Sequence, residues 1–150
     1  MDSTMALLLS DTYKQCHDRM YPQGLTKLVS YWVPRRSMLK KQSKMVFFGL
    51  QAFIKEYLMG YFQTSFFDVG EEEVIKQYTD AMNIQIGAGN YDVEKIVQLH
   101  RLGYLPLEIR ALPEGTLVTM GIPCIEITNT KEDFAWLVQW IEGILQVELW

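Results

Sequence analysis

The chain has little cysteine, little histidine and no strong excess of charge of either sign. Its two cysteines, Cys16 and Cys124, lie far apart and do not form the disulfide framework of a small secreted domain, so a reducing, cytoplasmic location is expected. Two histidines make a zinc site improbable, and we expect no metal site in this chain. The net charge of −4 offers no general attraction for nucleic acid, which is therefore not an expected partner.

Long apolar segments and common catalytic motifs are also absent. No stretch reaches the roughly 18 apolar residues of a membrane span, and the short apolar run Met5–Leu9 follows Asp2 without the basic region of a signal peptide. No membrane partner is therefore expected. The sequence contains no P-loop, GxGxxG, HExxH or GxSxG motif, and the GAGN segment at 87–90 is too short for a phosphate loop.

The length and composition of the chain are typical of one folded domain. The 150 residues are 49% hydrophobic and 21% charged, which excludes the intrinsically disordered class. Periodicity and turn residues predict helices over 11–21, 46–61, 71–86 and 92–103 and from about 131 to Trp150. Strands are predicted over Thr26–Val33, Leu107–Ala111, Thr116–Met120 and Pro123–Thr128. This order indicates an α+β fold, with helices packed on a small, mainly antiparallel sheet.

The predicted C-terminal helix is apolar and runs to Trp150 without a glycine cap, a proline or a polar tail. Two interpretations remain open. The helix either docks on the core of this domain, or the chain is cut before a further domain.

The stretch LLLSDTYKQCHDRMYP changes abruptly from leucines to residues that can carry chemistry. Asp11, Tyr13 and His17 fall on one side of the predicted helix. Asp11 or Ser10 is a good helix cap, and Tyr13 is simply half-buried on one interpretation. On the other, the Tyr13 ring stacks on a flat aromatic ligand, which is worth roughly 0.5–1.5 kcal/mol beyond area burial. Spacing alone does not decide between them.

A basic segment follows the first predicted strand and contains Arg35, Arg36, Lys40, Lys41 and Lys44. It is either a solvated loop or a phosphate-binding segment. Arg35 and Arg36 are the better phosphate candidates, because a strand end aims its side chains and the guanidinium fork matches phosphate oxygens. Glu71–Glu73 are instead explained by the start of a helix, where negative charge is favoured.

Segments that span nearly all of the chain resemble, in the same order, segments of the nicotinamide phosphoribosyltransferases. The first contains the family's TDSYK…H…QYP pattern in the form SDTYKQCHDRMYP. The others are KLVSYWVPR, VFFGLQAFIKEYL, LPLEIRALPEGTLVTMGIPCIEITNT and WLVQWIEGILQVELW.

The resemblance implies an activity and site residues. Enzymes of this family make nicotinamide mononucleotide and pyrophosphate from nicotinamide and phosphoribosyl pyrophosphate in the salvage route to NAD. They are homodimers with sites at the subunit interface, and Mg²⁺ is expected for the full-length enzyme. The residue matching Tyr13 stacks on nicotinamide from the partner subunit, the residue matching Asp11 lies in the same site, and the residue matching Arg35 binds phosphate.

The resemblance also implies that 1–150 is a single N-terminal domain of a type II phosphoribosyltransferase-like protein, without the catalytic barrel. We therefore expect no catalytic residue and no bound cofactor in this domain, and an isolated chain without activity. Its partners would be the barrel domain or a second copy. Two alternatives stay open: a non-catalytic dimerisation or interaction module, and a fragment of a nicotinate phosphoribosyltransferase.

Overall fold

Short strands form two antiparallel sheets in the computed structural model, which describes residues 4–39 and 41–149. The strands are β1 (Val29–Trp32), β2 (Lys44–Val46), β3 (Leu107–Ala111), β4 (Leu117–Thr119) and β5 (Ile125–Asn129). One sheet has the order β1-β5-β3 and the other pairs β2 with β4. The α+β class and the antiparallel pairing are confirmed, although the first strand is shorter than the predicted Thr26–Val33 and β2 was not predicted.

The α-helices are α1 (Leu50–Ala52), α2 (Glu71–Gln85), α3 (Glu94–Leu102), α4 (Leu137–Trp140) and α5 (Glu142–Glu148). The predictions for α2 and α3 are confirmed within two residues at each end. Asp92 Oδ1 accepts a hydrogen bond from the Glu94 backbone N–H at 2.9 Å, and Gly103 ends α3 with φ at 77°. Within the described residues, no helix combines the length and apolar character needed to cross a bilayer.

The helix predicted over 46–61 begins later and runs further. Val46 lies in β2 opposite Leu117 and is 57% exposed, so its place in the helical spacing was a coincidence. The helix starts at Leu50 and continues past Ala52 with π-helical hydrogen bonding over Phe53–Tyr61 and Gln63–Phe67. Gly49, at φ 103°, makes the sharp turn that separates strand from helix.

The C-terminal helix is divided rather than continuous. A 3₁₀ helix (Glu132–Phe134) precedes α4, and the helix is interrupted at Ile141, between α4 and α5. The Trp140 carbonyl accepts a hydrogen bond from Ser10 Oγ at 3.0 Å, so a side chain from the other end of the chain binds at this break. Trp150, where the helix was predicted to end, lies outside the described residues.

Two clusters of buried side chains form the core. One contains Phe62, Phe66, Tyr78 and Trp140 among its members, and the other contains Phe47, Phe53, Ile125 and Ile127. Tyr57, Leu58 and Leu107 pack against both. The long helical segment therefore contacts both clusters.

Glu114 fixes the start of this helical segment. Its Oε1 accepts hydrogen bonds from the backbone N–H groups of Gly49 at 3.1 Å and Gln51 at 2.8 Å. The segment Pro113–Gly115 was predicted only as a turn, but its central carboxylate also satisfies backbone donors that the first helical turn leaves free.

Substitution of Gly49 by alanine is expected to destabilise the fold. A Cβ at this position would lie 2.9 Å from the Glu148 carbonyl oxygen, and the backbone is in the left-handed region. We expect a loss of about 2–4 kcal/mol in the free energy of unfolding, measured by urea denaturation. Gly24→Ala is the matched control, since φ is 80° there but nothing lies within 4 Å of the new Cβ. Equal losses in the two variants would show that the contact with Glu148 contributes nothing.

Candidate functional site

Asp11 and Tyr13 lie together at the start of a 3₁₀ helix (Thr12–Met20). Tyr13 Oη donates a hydrogen bond to Asp11 Oδ2 at 3.3 Å, and the Tyr13 side chain is 58% exposed. Its ring centroid lies 5.0 Å from that of His17, with the planes tilted by 52°. The structure thus places Asp11, Tyr13 and His17 on one side, and the Tyr13 ring is exposed rather than half-buried.

The predicted capping role is wrong for both candidate residues. Asp11 stands at the N-cap position, but its side chain makes no capping hydrogen bond. Ser10 donates instead to the carbonyl of Trp140. The Asp11 carboxylate is directed to Tyr13 and Lys14, so it is available to a site rather than used by the helix end.

The segment before this helix is fastened to α4. Trp140 Nε1 donates to the Leu7 carbonyl at 2.7 Å, next to the bond between Ser10 and Trp140. Leu7 of the N-terminal run is needed here for packing, since it is completely buried. The abrupt change from leucine to polar residues therefore marks the place where the chain leaves the core and reaches the surface.

Lys14 connects the helix to α5. Its side chain is 3% exposed, and its ammonium group forms an ion pair with Glu142 and lies 3.9 Å from Asp11 Oδ2. An ideal Cβ built on Gly143 would be 3.6 Å from the same carboxylate oxygen, so α5 passes directly beside Asp11.

Arg35 and Arg36 line a groove of about 800 Å³ at the end of β1. Both side chains are exposed, whereas Pro34 before them is buried and its carbonyl accepts a hydrogen bond from Gly121 N–H at 2.7 Å. The strand end is therefore fixed while the guanidinium groups face solvent. Within residues 4–39 and 41–149, neither arginine forms an ion pair or a side-chain hydrogen bond, so both are free to receive an anion.

The same groove is bounded by Glu142 and Gln146 of α5 and by Tyr31 and Trp32 of β1. Glu142 is thus shared between the Arg35 groove and the pair that it forms with Lys14. The structure does not bring Arg35 into a hydrogen bond or ion pair with Asp11 or Tyr13 in the part of the chain that it describes. The two regions are neighbours through Glu142.

Lys41 and Lys44 do not line this groove. Lys41 is exposed with φ at 68°, and Lys44 lies in β2 opposite Thr119. Lys40 lies outside the described residues. The preference for Arg35 and Arg36 within the basic segment is consistent with the groove, although phosphate binding by either stays a prediction.

Several other residues of types that can carry chemistry have structural contacts. His100 Nε2 lies 2.8 Å from the Val69 carbonyl oxygen, and Trp136 packs edge-on against Trp140 with ring centroids 4.9 Å apart. Burial raises the pKa of the Cys124 thiol, which disfavours the reactive thiolate. Glu71 pairs with Arg101 at 2.8 Å at the start of α2.

Sequence reasoning missed two buried lysines. Lys14 is one, and Lys95 of α3 is the other, with Nζ 2.7 Å from Asp18 Oδ2 and 5.3 Å from the ring centroids of both Trp136 and Trp140. A lysine in a polar stretch looks like a surface residue, so composition gave no sign of burial. The only local signal was the spacing of Asp11 and Lys14, which are three residues apart and can pair on a helix.

No group of three or more histidine, cysteine, aspartate or glutamate side chains able to hold a metal ion occurs among the residues that the structure describes. The acidic residues near Tyr13 are instead paired with Lys14.

Comparison with protein families gives a match over residues 5–109 to the family described as nicotinamide phosphoribosyltransferase, N-terminal domain. The chain is 41% identical over 145 residues to the nicotinamide phosphoribosyltransferase of Acinetobacter baylyi, covering 93% of this chain and 29% of that protein. It is 30% identical over 141 residues to the nicotinamide phosphoribosyltransferase of Xanthomonas campestris pv. campestris, covering 93% of this chain and 27% of that protein. The chain thus spans less than a third of the length of these curated relatives.

A solved structure shares the fold. The crystal structure of human nicotinic acid phosphoribosyltransferase superposes with a TM-score of 0.63 and 17% sequence identity, over 93% of this chain and 25% of that chain. At this identity the likeness concerns the fold alone.

Proposed function

This chain belongs to the family of nicotinamide phosphoribosyltransferase N-terminal domains, and from that premise we propose that it supplies one wall of a site for nicotinamide and phosphoribosyl pyrophosphate. The observation that carries the proposal is the exposed Tyr13 ring held beside the Asp11 carboxylate, at the position where the family resemblance places the nicotinamide contact. The proposed reaction is the formation of nicotinamide mononucleotide and pyrophosphate in NAD salvage.

The proposed chemistry needs a flat surface and a negative charge near the acceptor. The pyridine nitrogen of nicotinamide forms a bond to C1 of the ribose while the bond from C1 to the pyrophosphate oxygen breaks, and pyrophosphate leaves with the electron pair. The pyridine ring becomes positively charged in the product. Tyr13 offers a ring face for stacking, and the Asp11 carboxylate lies where it would favour that positive charge.

The Arg35 groove suits the phosphate end of the other substrate. A guanidinium group donates two parallel hydrogen bonds to phosphate oxygens, and Arg35 has no competing carboxylate partner among the described residues. The proposal assigns no magnesium ligand to this chain, since no group of three or more candidate ligands occurs among the described residues. Mg²⁺ would be held elsewhere in the full-length enzyme.

The quaternary arrangement is also proposed rather than observed. We place 1–150 as a single N-terminal domain that meets a catalytic barrel in a cytoplasmic homodimer, with Tyr13 reaching the site of the partner subunit. An exposed ring at the start of a helix, rather than one folded back on its own core, supports such a role. The chain alone is then expected to be inactive.

The test is a chimera in which residues 1–150 replace the matching segment of the Acinetobacter baylyi relative. Formation of nicotinamide mononucleotide is measured for the chimera, for the 150-residue chain alone, and for the chain mixed with the remaining part of the relative. We expect turnover in the chimera and none in the chain alone. A folded chimera without turnover, alongside an active unmodified relative, would overturn the proposal.

A second candidate, a non-catalytic interaction module, is favoured by one observation. Val46 and Leu117 lie opposite each other on the β2–β4 ribbon and are 57% and 58% exposed, and Phe48 beside them is 68% exposed. An apolar surface of this kind is typical of a contact with another chain. Self-association of the 150-residue chain in light scattering, lost in Phe48→Ser, together with an inactive chimera would favour this candidate.

A further inference from the structure

Lys14 is a buried cation that touches both residues proposed to contact the acceptor substrate. Its ammonium group lies 3.9 Å from Asp11 Oδ2 and 5.4 Å from the centroid of the Tyr13 ring, and it forms an ion pair with Glu142. Burying an ammonium group is unfavourable unless it is paired. Because the Lys14 side chain is only 3% exposed, its charge depends on these partners.

The helix that carries Tyr13 needs contacts from outside itself. Thr12–Met20 is a 3₁₀ helix of nine residues, whereas runs longer than three or four are uncommon because their hydrogen-bond geometry is poor. Near each end of the helix, a buried lysine forms an ion pair that holds the helix in place. Lys14 binds Glu142 of α5, and Lys95 of α3 binds Asp18 and donates to the Gln15 carbonyl at 3.3 Å.

The Lys14 pair also joins the two halves of the candidate site. Glu142 lines the groove of Arg35, while Lys14 lies beside Asp11 and Tyr13. One ion pair thus connects the region for the flat ring with the region for phosphate, in addition to the contacts that fasten the N-terminal segment to α4.

We infer that Lys14 is a positioning residue, which orients Tyr13 and Asp11 relative to the Arg35 groove without contacting substrate itself. The inference rests on the proposed function for its consequence in catalysis, but its structural part concerns this chain alone. Lys14 acts through its pair with Glu142, so both members of the pair are expected to give the same phenotype.

The structural part is tested in the 150-residue chain by NMR relaxation. In Lys14→Met the order parameter of the Tyr13 amide is expected to fall from about 0.85 to below about 0.6, because the start of the helix loses its link to α5. The Glu142 side chain is 45% exposed, so Glu142→Gln leaves the core intact. This variant is expected to lower the order parameter of the Tyr13 amide in the same way. Lys76→Met is the matched control, since Lys76 and Asp80 form an exposed pair on α2. An unchanged order parameter of the Tyr13 amide in both Lys14→Met and Glu142→Gln would overturn the inference.

The catalytic part is tested in the chimera. Lys14→Met is expected to raise KM for nicotinamide about tenfold, because misplacing a binding group costs affinity, with a smaller change in KM for phosphoribosyl pyrophosphate. The double variant Lys14→Met/Glu142→Leu removes both charges and is expected to recover thermal stability but not KM. Recovery of KM together with stability would show that the pair serves the fold only.

The two readouts separate this inference from the proposed function. An inactive parent chimera overturns the proposed function, and the NMR experiment still decides the role of Lys14. The inference alone is overturned if the chimera is active and two quantities stay unchanged in Lys14→Met and Glu142→Gln. These are KM for nicotinamide in the chimera and the order parameter of the Tyr13 amide in the 150-residue chain.

Discussion

Replacement of Tyr13 by alanine in the chimera is expected to lower kcat/KM for nicotinamide about 10- to 100-fold, since stacking of a base on an aromatic side chain is worth about 1–3 kcal/mol. The Tyr13 ring is exposed, and it lies near His17, Asp11 and the ammonium group of Lys14 rather than within the core. The loss should therefore appear in substrate binding, and the free energy of unfolding should change little. Initial rates at varied nicotinamide concentration, with circular dichroism melting of the same samples, give both quantities.

Two variants define what the ring contributes. Tyr13→Phe keeps the ring face and loses the hydrogen bond to Asp11, so we expect it to retain most of the activity. Tyr104→Ala removes another exposed tyrosine, 47% exposed, which lines a groove between the long helical segment and β3. Equal losses in Tyr13→Ala and Tyr104→Ala would contradict a specific role for Tyr13.

Replacement of Arg35 by alanine is expected to raise KM for phosphoribosyl pyrophosphate about 10- to 100-fold, because a charged hydrogen-bond pair is worth about 1.5–3 kcal/mol. Arg35 has no side-chain partner in the described part of the chain, so its removal breaks nothing within the fold. KM for nicotinamide should change much less, and the effect on KM for phosphoribosyl pyrophosphate should shrink as salt is added.

The matched control for Arg35 is Arg110→Ala. Arg110 is also exposed and lies on a strand, but its guanidinium is already bound to Glu108 at 2.9 Å. Arg35→Lys is expected to fall between wild type and Arg35→Ala, since lysine keeps the charge and loses the planar fork. An unchanged KM for phosphoribosyl pyrophosphate in Arg35→Ala would remove phosphate binding from this groove.

The elements that could be predicted from sequence are those with a strong local signal. The glutamates that open α2, the glycine that ends α3 and the alternating pattern of β3 all act over a few residues, and the structure has these elements where they were expected. Val46 was misassigned because a strand residue happened to fall at helical spacing. The left-handed turn at Gly49 separates strand β2 from the helix that follows. The φ angle of a glycine inside a helical pattern cannot be predicted from the sequence.

The candidate site could be predicted in part. The types of Asp11, Tyr13 and Arg35 and their family resemblance drew attention to them, and the structure places the first two together. Lys14 and Glu142 could not be found, because they are 128 residues apart and become partners only when α5 packs beside the N-terminal segment. Such a contact is a property of the tertiary fold and leaves no periodic trace in sequence.

The contacts of the N-terminal segment with α4 and α5 have a consequence for the order in which the protein is made. Ser10 and Leu7 bind Trp140 across separations of 130 and 133 residues, and Lys14 binds Glu142 across 128. The residues of the N-terminal segment therefore wait until residues 128 to 133 positions later have been made, at roughly 5–20 residues per second, before these contacts can form. Because these contacts close so long a loop, the strands and α2–α3 have time to assemble first. Tyr13 thus reaches its final orientation only after the strands and α2–α5, all of which follow it in the chain, have been made.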